Sequence, residues 1–392
     1  MDTLFIELTH RCNLKCTFCY RHKVEEKNDM SIETCIKILN EAKMIGIKSI
    51  AFNGYGENIL HKDFISALKY ASENFDKVHF NTNGLALNDE LCNEILKINL
   101  DHIVFSVTGF NFEVYNEFQG SGLNNKIIIK NVYENILNFI EKRDSQKGKV
   151  KIFMQYIMTD KSRQDILKYI DFWKDKVDDI NITYLNSIFD EVSSFNKKAV
   201  SSGKQKCPQI GKVLLVHSGG DVSLCCSDCF KGTSIGNVNE FPLNKLVSSD
   251  KFRYIEKVND KLEIDKLPMI CQKCDEIYEN LFYDIQCKYS EIKEYIESIK
   301  KLKNEKLALF GVNTNMNKFL YALKIYSNNE EFIIVDNYKN GFYENKPILK
   351  PNKDILKERK VIVFADNKYN EIQSCLQNIE IRCVSHKQLV RK

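Results

Sequence analysis

The chain contains no apolar run that approaches the ~20 residues of a membrane-spanning helix, so no membrane partner is expected. A strand-like run follows Met1 almost at once and leaves no room for a basic segment, an apolar stretch and a cleavage site. On this interpretation a secretion signal is excluded. We therefore expect a cytoplasmic location.

The sequence also lacks a strong excess of one charge. The formal net charge is +4 over 392 residues, and the lysines are scattered rather than gathered into a stripe, so no nucleic acid partner is expected. Cysteine, by contrast, is abundant. Without a secretion signal, 14 cysteines indicate metal ligation in a reducing compartment rather than disulfides.

Three cysteines, Cys12, Cys16 and Cys19, form the most informative pattern, C-x3-C-x2-C. The thiolate is the ligand form of cysteine, and a closed zinc site needs four protein ligands, so three crowded thiolates favour iron-sulfur chemistry with one open position. The alternating apolar run Leu4–Leu8 precedes them and predicts a strand. In a barrel of strands and helices, the loop after a strand lies on the catalytic face.

This spacing, with the aromatic Phe18 before the last cysteine, resembles the signature of the radical S-adenosylmethionine (radical SAM) superfamily. The resemblance implies a 4Fe-4S cluster on the three thiolates, with SAM on the fourth iron. It also implies cleavage of SAM to a 5'-deoxyadenosyl radical, and an electron donor such as flavodoxin or ferredoxin. The alternatives are a zinc knuckle short of one ligand and a chance cluster of buried thiols.

Alternating strand-like and helical patterns predict an α/β fold with a partial (β/α)6 TIM-type barrel over residues 1–190. Six apolar runs read as parallel strands, with amphipathic helices such as Ser31–Ile45, Asp63–Glu73 and Lys126–Lys142 between them. The strand-like runs are Leu4–Leu8, Ser49–Asn53, Val78–Asn81, His102–Ser106, Val150–Met158 and Ile180–Leu185.

Two barrel loops extend the resemblance. The segment Gly54-Tyr55-Gly56-Glu57 is similar to the family's G-x-G-E-P loop, which holds the SAM amino group, with Asn58 in place of proline. Its glycines are expected to let backbone approach a ligand closely. Asn83, in a T-N-G turn, and Ser106, at the end of the fourth strand, resemble the family's contacts to the SAM ribose.

Residues 200–290 resemble the cysteine-rich SPASM/twitch extension of radical SAM enzymes. The resemblance implies one auxiliary 4Fe-4S cluster, because Cys287 lies too far beyond the last C-x2-C pair for the next ligand of the full SPASM pattern. A zinc ribbon on the pairs Cys226/Cys229 and Cys271/Cys274 is the rival. The expected ligands of the auxiliary cluster are Cys207, Cys225, Cys271 and Cys274.

Residues 304–392 predict a small Rossmann-like α/β domain with strands at Leu307–Gly311, Glu331–Asp336 and Val361–Ala365. Asn313 and Met316 stand where a dinucleotide-binding loop would place its second and third glycines. We therefore expect a scaffold or an interaction surface rather than an NAD site.

We expect a radical SAM oxidoreductase that oxidises a small polar metabolite such as a sugar or aminocyclitol, with the auxiliary cluster as electron relay. One alternative is a maturase that modifies a ribosomally made peptide, and another is a non-catalytic cluster protein. An oxidation needs a proton acceptor. Tyr184 and Asp190 are the candidates by position, and Gln155 or Tyr156 could contact substrate.

Overall fold

The fold comes from a computed structural model of the chain, which describes residues 1–24, 28–120, 126–159, 161–184, 205–274, 286–302, 305–326, 331–339, 341–343 and 346–390. The strands in these ranges are β1 Thr3–Ile6, β2 Ser49–Phe52, β3 Lys77–Thr82, β4 His102–Ser106, β5 Lys151–Met158, β6 Asp179–Tyr184, β7 Val213–Val216, β8 Asp221–Ser223, β9 Ser234–Asn237, β10 Gln286–Lys288, β11 Leu307–Phe310, β12 Phe332–Val335, β13 Phe342–Tyr343, β14 Lys346–Leu349, β15 Lys360–Val363 and β16 Cys383–Ser385.

The helices in the same part of the chain are α1 Ile32–Met44, α2 Phe64–Asn74, α3 Asp89–Leu96, α4 Phe112–Phe118, α5 Lys126–Ser145, α6 Ile166–Trp173, α7 Leu243–Leu246, α8 Asp250–Asp260, α9 Met269–Gln272, α10 Tyr289–Lys301, α11 Thr314–Tyr326, α12 Lys353–Leu356, α13 Tyr369–Gln377 and α14 His386–Val390. Their starts follow ordinary capping chemistry. Ser31, Asn88 and Asn111 each accept a backbone N–H of the first turn, at the starts of α1, α3 and α4.

The first sheet confirms the partial barrel. Strands β1 to β6 lie side by side in chain order, and every neighbouring pair is parallel. At the β1 edge, β7 adds in parallel, and β8 and β9 continue the sheet antiparallel. At the other edge, β10 pairs antiparallel with β6. The cysteine-rich segment therefore extends the barrel sheet, a pairing that no local pattern in the sequence predicts.

Strand alternation separates the two faces of this sheet. Residues such as Ile50, Phe80, Ile103 and Ile152 are buried in the core between sheet and helices. The alternate residues form the opposite face, called here the inner face. Near the carboxyl ends of the strands it carries neutral polar side chains, and in one row Ser106 pairs with Gln155 and Gln155 with Asn181.

The structure distinguishes the two residues proposed on β5. Gln155 is on the inner face and donates to the Thr183 hydroxyl on β6 at 2.5 Å. Tyr156 is fully buried on the helix side, where its hydroxyl lies 2.6 Å from the Ser162 carbonyl oxygen and bonds Asp165. A substrate contact by Tyr156 is therefore wrong, and alternation along the strand is the physical reason.

The C-terminal sheet has the order β13-β14-β12-β11-β15-β16, and the five strands from β14 to β16 are parallel. With β11 central and the chain moving first to one side and then to the other, this is a doubly wound arrangement, as the sequence predicts. The Asp336 carboxylate accepts the N–H groups of Val312, Tyr338 and Lys339. It closes turns of the protein itself at the place where a ribose would bind.

Among the described residues, no helix combines the length and the apolar character that crossing a bilayer requires. The limits of the three predicted domains stay predictions.

We expect Tyr156→Phe to lower the free energy of unfolding by about 1–3 kcal/mol, because it removes a hydrogen bond to the buried Asp165 carboxylate. Urea denaturation of the two proteins measures the difference. Tyr254→Phe, at a half-exposed tyrosine, is the control and should change stability by less than about 0.5 kcal/mol. Equal midpoints for Tyr156→Phe and the parent would contradict the assignment.

Candidate active site at the carboxyl ends of the barrel strands

The first cysteine loop follows β1 and is held by its own backbone and by the barrel. The Cys19 N–H donates to the Cys16 carbonyl at 3.1 Å, and the Thr17 N–H donates to the Phe118 carbonyl at the end of α4 at 2.9 Å. The Arg21 guanidinium donates to the Leu14 carbonyl at 3.0 Å. The loop is thus closed around its three thiols.

Burial keeps these thiols protonated until a cation binds. It raises the pKa of Cys12 to about 11 and also raises those of Cys16 and Cys19, while the nearby Arg21 charge lowers all three. Since metal ligation needs thiolates, a bound cationic centre must supply the missing stabilisation. Within the described ranges, there is no group of three or more His, Cys, Asp or Glu side chains that could bind a single metal ion. In a 4Fe-4S cluster each thiolate binds a different iron, so the three-thiol loop fits that group.

Glu7 holds the glycine loop against the end of β1. Its buried carboxylate accepts the Tyr55 N–H at 2.7 Å and the Gly56 N–H at 3.4 Å. The other oxygen lies 3.0 Å from His10 Nδ1 and accepts the Ser218 hydroxyl at 3.2 Å. Three segments distant in the chain therefore meet at one carboxylate.

The glycines allow this contact within the protein, and their expected approach to a ligand stays a prediction. A Cβ at Gly56 would lie 1.8 Å from the Thr9 carbonyl oxygen, and one at Gly54 would lie 2.7 Å from the Glu7 side chain. The close approach is thus to the protein itself.

Glu57 has one oxygen committed to the fold and one available. One oxygen accepts the Asn83 N–H at 2.8 Å, and the other, although buried, has no hydrogen-bond partner among the described residues. Burial raises the pKa of this carboxyl to about 7, and the neighbouring polar groups of Asn83, Thr82 and Ile59 lower it by less than burial raises it. An ammonium group such as that of SAM would satisfy the remaining oxygen, so the residue fits the predicted cofactor.

Asn58 stands where the family has proline, and it holds the loop through a hydrogen bond. Its side-chain oxygen accepts the Leu8 N–H at 2.7 Å, and the residue is buried. Proline would fix the backbone through its ring. Here the asparagine accepts a bond from Leu8, the residue after Glu7, so two consecutive residues at the end of β1 hold the glycine loop.

The two predicted ribose contacts differ in their surroundings. The Asn83 amide donates to Asn13 at 2.8 Å and lies 3.8 Å from Cys12 Sγ, so it supports the cysteine loop. Ser106 is half-buried on the inner face, and its carbonyl accepts the Gln119 side chain. Thr108, two residues after Ser106, accepts the Ile157 N–H with its hydroxyl and so stabilises the fold. Ribose binding by Asn83 and Ser106 stays a prediction.

The second cysteine loop, residues 225–229, follows β8 and is organised by a buried aspartate. Asp228 accepts the Gly232 N–H at 3.0 Å, and the Thr233 N–H and hydroxyl at 2.7 Å each. The Ser227 N–H points at Cys225 Sγ at 3.4 Å. A buried carboxylate with several donors fixes a short loop in one conformation.

The four cysteines predicted for the auxiliary cluster are neighbours in two pairs. Burial raises the pKa of Cys271 to about 12, with Cys207 and Asp228 as neighbouring charges that raise it further. The pKa of Cys225 is raised by a hydrogen bond with Cys226, by burial and by the Cys274 charge. Asn259 clasps Cys207 by accepting its N–H at 2.8 Å and donating to its carbonyl at 3.2 Å. Assignment of the four as ligands stays a prediction.

Two family models match the chain. Residues 6–172 match the model described as the radical SAM superfamily, and residues 207–275 match SPASM, described as an iron-sulfur cluster-binding domain. The chain therefore contains a radical SAM domain and a SPASM domain. Its radical SAM domain implies a 4Fe-4S cluster and SAM, and its SPASM domain implies auxiliary iron-sulfur binding.

Two curated relatives match part of the chain. A tungsten-containing aldehyde ferredoxin oxidoreductase cofactor-modifying protein from Pyrococcus furiosus is 34% identical over 27% of this chain and 31% of its own length. The PqqA peptide cyclase of Granulibacter bethesdensis is 30% identical over 26% of this chain and 28% of its own length. The chain therefore spans less than a third of either relative.

Solved structures share the fold at low identity. Streptococcus suis SuiB bound to S-adenosylmethionine has a TM-score of 0.54 and 16% identity, over 70% of this chain and 72% of that chain. The structure of anSMEcpe with bound AdoMet has a TM-score of 0.51 and 14% identity, over 83% of this chain and 96% of that chain. This likeness shows the fold alone.

The placement of the other predicted residues completes the site. Phe18 is half-buried in the first cysteine loop. Tyr184 is the last residue of β6, paired with Met158, and its side chain lies outside the described part; Asp190 lies outside it entirely.

Sequence reasoning missed Glu7. A signal was present, since Glu7 is the one charged residue inside the apolar run Leu4–Leu8.

The pKa of Glu57 predicts how stability depends on pH. The folded chain keeps a proton that the unfolded chain has released between about pH 4.5 and 7, so stability falls as pH rises through this window. In the iron-free, reduced protein, Glu57→Gln should remove that decline. Its free energy of unfolding relative to the parent should rise by about 1–3 kcal/mol between about pH 5 and pH 7.5.

Urea denaturation across this pH range measures the effect. Glu90→Gln, at an exposed position of α3, is the matched control and should follow the parent at every pH. Parallel curves for Glu57→Gln and the parent would show that this carboxyl is not held protonated by burial.

Proposed function

We propose that the chain is a radical SAM oxidoreductase that removes a hydrogen atom, an electron and a proton from a small polar metabolite. The observation that supports it most is the Glu57 oxygen, which has no hydrogen-bond partner among the described residues and lies beside a loop of three half-buried thiols. A 4Fe-4S cluster with SAM supplies a 5'-deoxyadenosyl radical that abstracts hydrogen. Cys12, Cys16 and Cys19 would ligate the cluster, and Glu57 would hold the SAM amino group.

The second cysteine loop supports an oxidation over a group transfer. Loss of a hydrogen atom from a carbon that bears a hydroxyl leaves a carbon radical. When this radical gives up one electron and the hydroxyl proton, a carbonyl results. A cluster ligated by Cys207, Cys225, Cys271 and Cys274 would take the electron, with a potential set by burial and by hydrogen bonds to sulfur. Tyr184 or Asp190 is proposed to take the proton.

The inner face of the barrel supports a neutral, hydroxyl-bearing substrate. Gln155 and Thr183 form a hydrogen-bonded amide and hydroxyl pair, and Asn181 lies beside them. The side-chain oxygen of Asn181 is buried and has no hydrogen-bond partner among the described residues. A substrate hydroxyl or amine could donate to it. Sugars and aminocyclitols carry such groups.

A peptide is the second candidate substrate, because two relatives act on or bind peptides. One curated relative is named a PqqA peptide cyclase, and SuiB has been solved bound to the precursor peptide SuiA, with a TM-score of 0.53 to this chain. A peptide would use the same inner face through its side-chain or backbone amides. For either substrate, a small electron-transfer protein such as flavodoxin or ferredoxin is the proposed reductant.

Removal of the three N-terminal thiols should abolish SAM cleavage. The variant with Cys12, Cys16 and Cys19 replaced by alanine should lose 5'-deoxyadenosine formation, and its iron content should fall from about eight to about four per chain. Anaerobic purification, iron and sulfide analysis and chromatography of the products measure both. Cys375→Ala, at an exposed cysteine, is the control and should retain both properties.

Retained 5'-deoxyadenosine formation in the triple variant would refute the radical SAM assignment of this loop. Four irons with one zinc in the parent would instead refute the auxiliary cluster and favour the zinc ribbon on Cys226, Cys229, Cys271 and Cys274.

Substrate class is tested with inositols and aminosugars in one series and short peptides in another. We expect the first series to raise 5'-deoxyadenosine formation and to yield a product lighter by two hydrogens. Asn181→Leu should raise KM for that substrate about three- to tenfold through loss of one hydrogen bond, whereas the exposed Asn93→Leu should not. Stimulation by peptides alone would favour the second candidate.

A further inference from the structure

One side chain connects the glycine loop with the second cysteine loop. The Tyr55 hydroxyl donates to the Ser227 carbonyl at 2.6 Å, across 172 positions of sequence. Burial raises the pKa of this phenol, and the charges of Cys229, Cys225 and Cys19 raise it further, so it lies among thiols of both loops. The rings of Tyr20 and Phe230 form a second, apolar contact between the loops, edge to face with their centroids 5.9 Å apart.

Each end of this connection is fixed to a functional element. The Tyr55 N–H donates to Glu7 at 2.7 Å, and Tyr55 precedes the Gly56-Glu57 pair that would receive SAM. At the other end, the Ser227 N–H points at Cys225 Sγ at 3.4 Å, and the next residue is the buried Asp228 that organises the loop. The chain of contacts therefore runs from the SAM loop to a sulfur of the auxiliary site.

We propose that Tyr55 is a positioning residue that couples the SAM loop to the auxiliary cluster by holding Ser227 so that its N–H donates to Cys225 Sγ. The inference rests on the proposed function, in which Cys225 ligates that cluster. Tyr55 takes no part in the chemistry itself. Its role is to set the reduction potential of the electron acceptor and to make that potential respond to SAM.

The direction of the effect follows from charge. Reduction adds negative charge to a cluster and its thiolates, and an N–H directed at a ligand sulfur stabilises that charge. The hydrogen bond therefore raises the reduction potential and makes the cluster a better electron acceptor. Loss of the Tyr55 hydroxyl frees the Ser227 peptide and weakens the bond to sulfur. The potential should then fall.

The test is a redox titration of the iron-loaded enzyme, followed by electron paramagnetic resonance, with and without SAM. In the parent, SAM should shift the auxiliary signal and its potential. In Tyr55→Phe the ratio of reduced to oxidised auxiliary cluster at a fixed potential should fall about three- to tenfold, which is about 30 to 60 mV for one electron. The shift on adding SAM should shrink.

Two matched variants isolate the contact. Tyr70→Phe removes a tyrosine hydroxyl on α2 that bonds Asn40, and it should leave the auxiliary potential unchanged. Ser227→Ala leaves the backbone groups of residue 227 in place, so its potential should stay near that of the parent. A fall in Ser227→Ala as large as in Tyr55→Phe would overturn the assignment to the peptide group.

The remaining outcomes separate this inference from the proposed function. A parent that holds only about four irons per chain refutes the auxiliary cluster. A parent with both clusters, together with a Tyr55→Phe variant of unchanged potential and unchanged response to SAM, overturns the coupling alone. Selective loss of the auxiliary cluster in Tyr55→Phe, with the SAM-cleaving cluster retained, supports the positioning role. Loss of both clusters counts against it.

Discussion

The carboxylate of Glu7 is the interaction on which the catalytic edge of the barrel depends. Burial raises its pKa, but the hydrogen bond and charge of His10 and the N–H of Tyr55 lower it more, and the net direction is downward. A buried carboxylate is stable only when most of its lone pairs are satisfied. Here the donors come from the glycine loop and from Ser218 after β7. The charge therefore selects one arrangement of three loops.

Local patterns in the sequence predict the elements well. The six barrel strands, the helices between them and the doubly wound C-terminal strands follow from alternation and helical period, because these reflect burial of one face. The cysteine spacing predicts the position of the first cysteine loop. The contact of Gly56 with the Thr9 carbonyl is not predicted, because only tertiary structure brings these two residues together.

Contacts between distant segments could not be predicted from the sequence. β7 pairs with β1 in register from Thr3 opposite Val213, and no local pattern records a pairing across such a separation. The same holds for Tyr55 and Ser227. The consequence is functional, since the parallel addition of β7 carries the second cysteine loop to the edge where the first one lies. The barrel edge and the auxiliary site are therefore one structural unit.

The C-terminal region contributes to this unit from the opposite edge. β10 pairs antiparallel with β6, so it covers a strand edge that would otherwise expose unpaired backbone groups. The same segment leads into α10, whose Tyr295 bonds His386, and His386 in turn bonds Asp366 after β15, both at 2.8 Å. Polar groups at the crevice of the doubly wound sheet are thus used internally, as with Asp336. This supports a scaffold that closes the barrel sheet beside Asn181, rather than a nucleotide site.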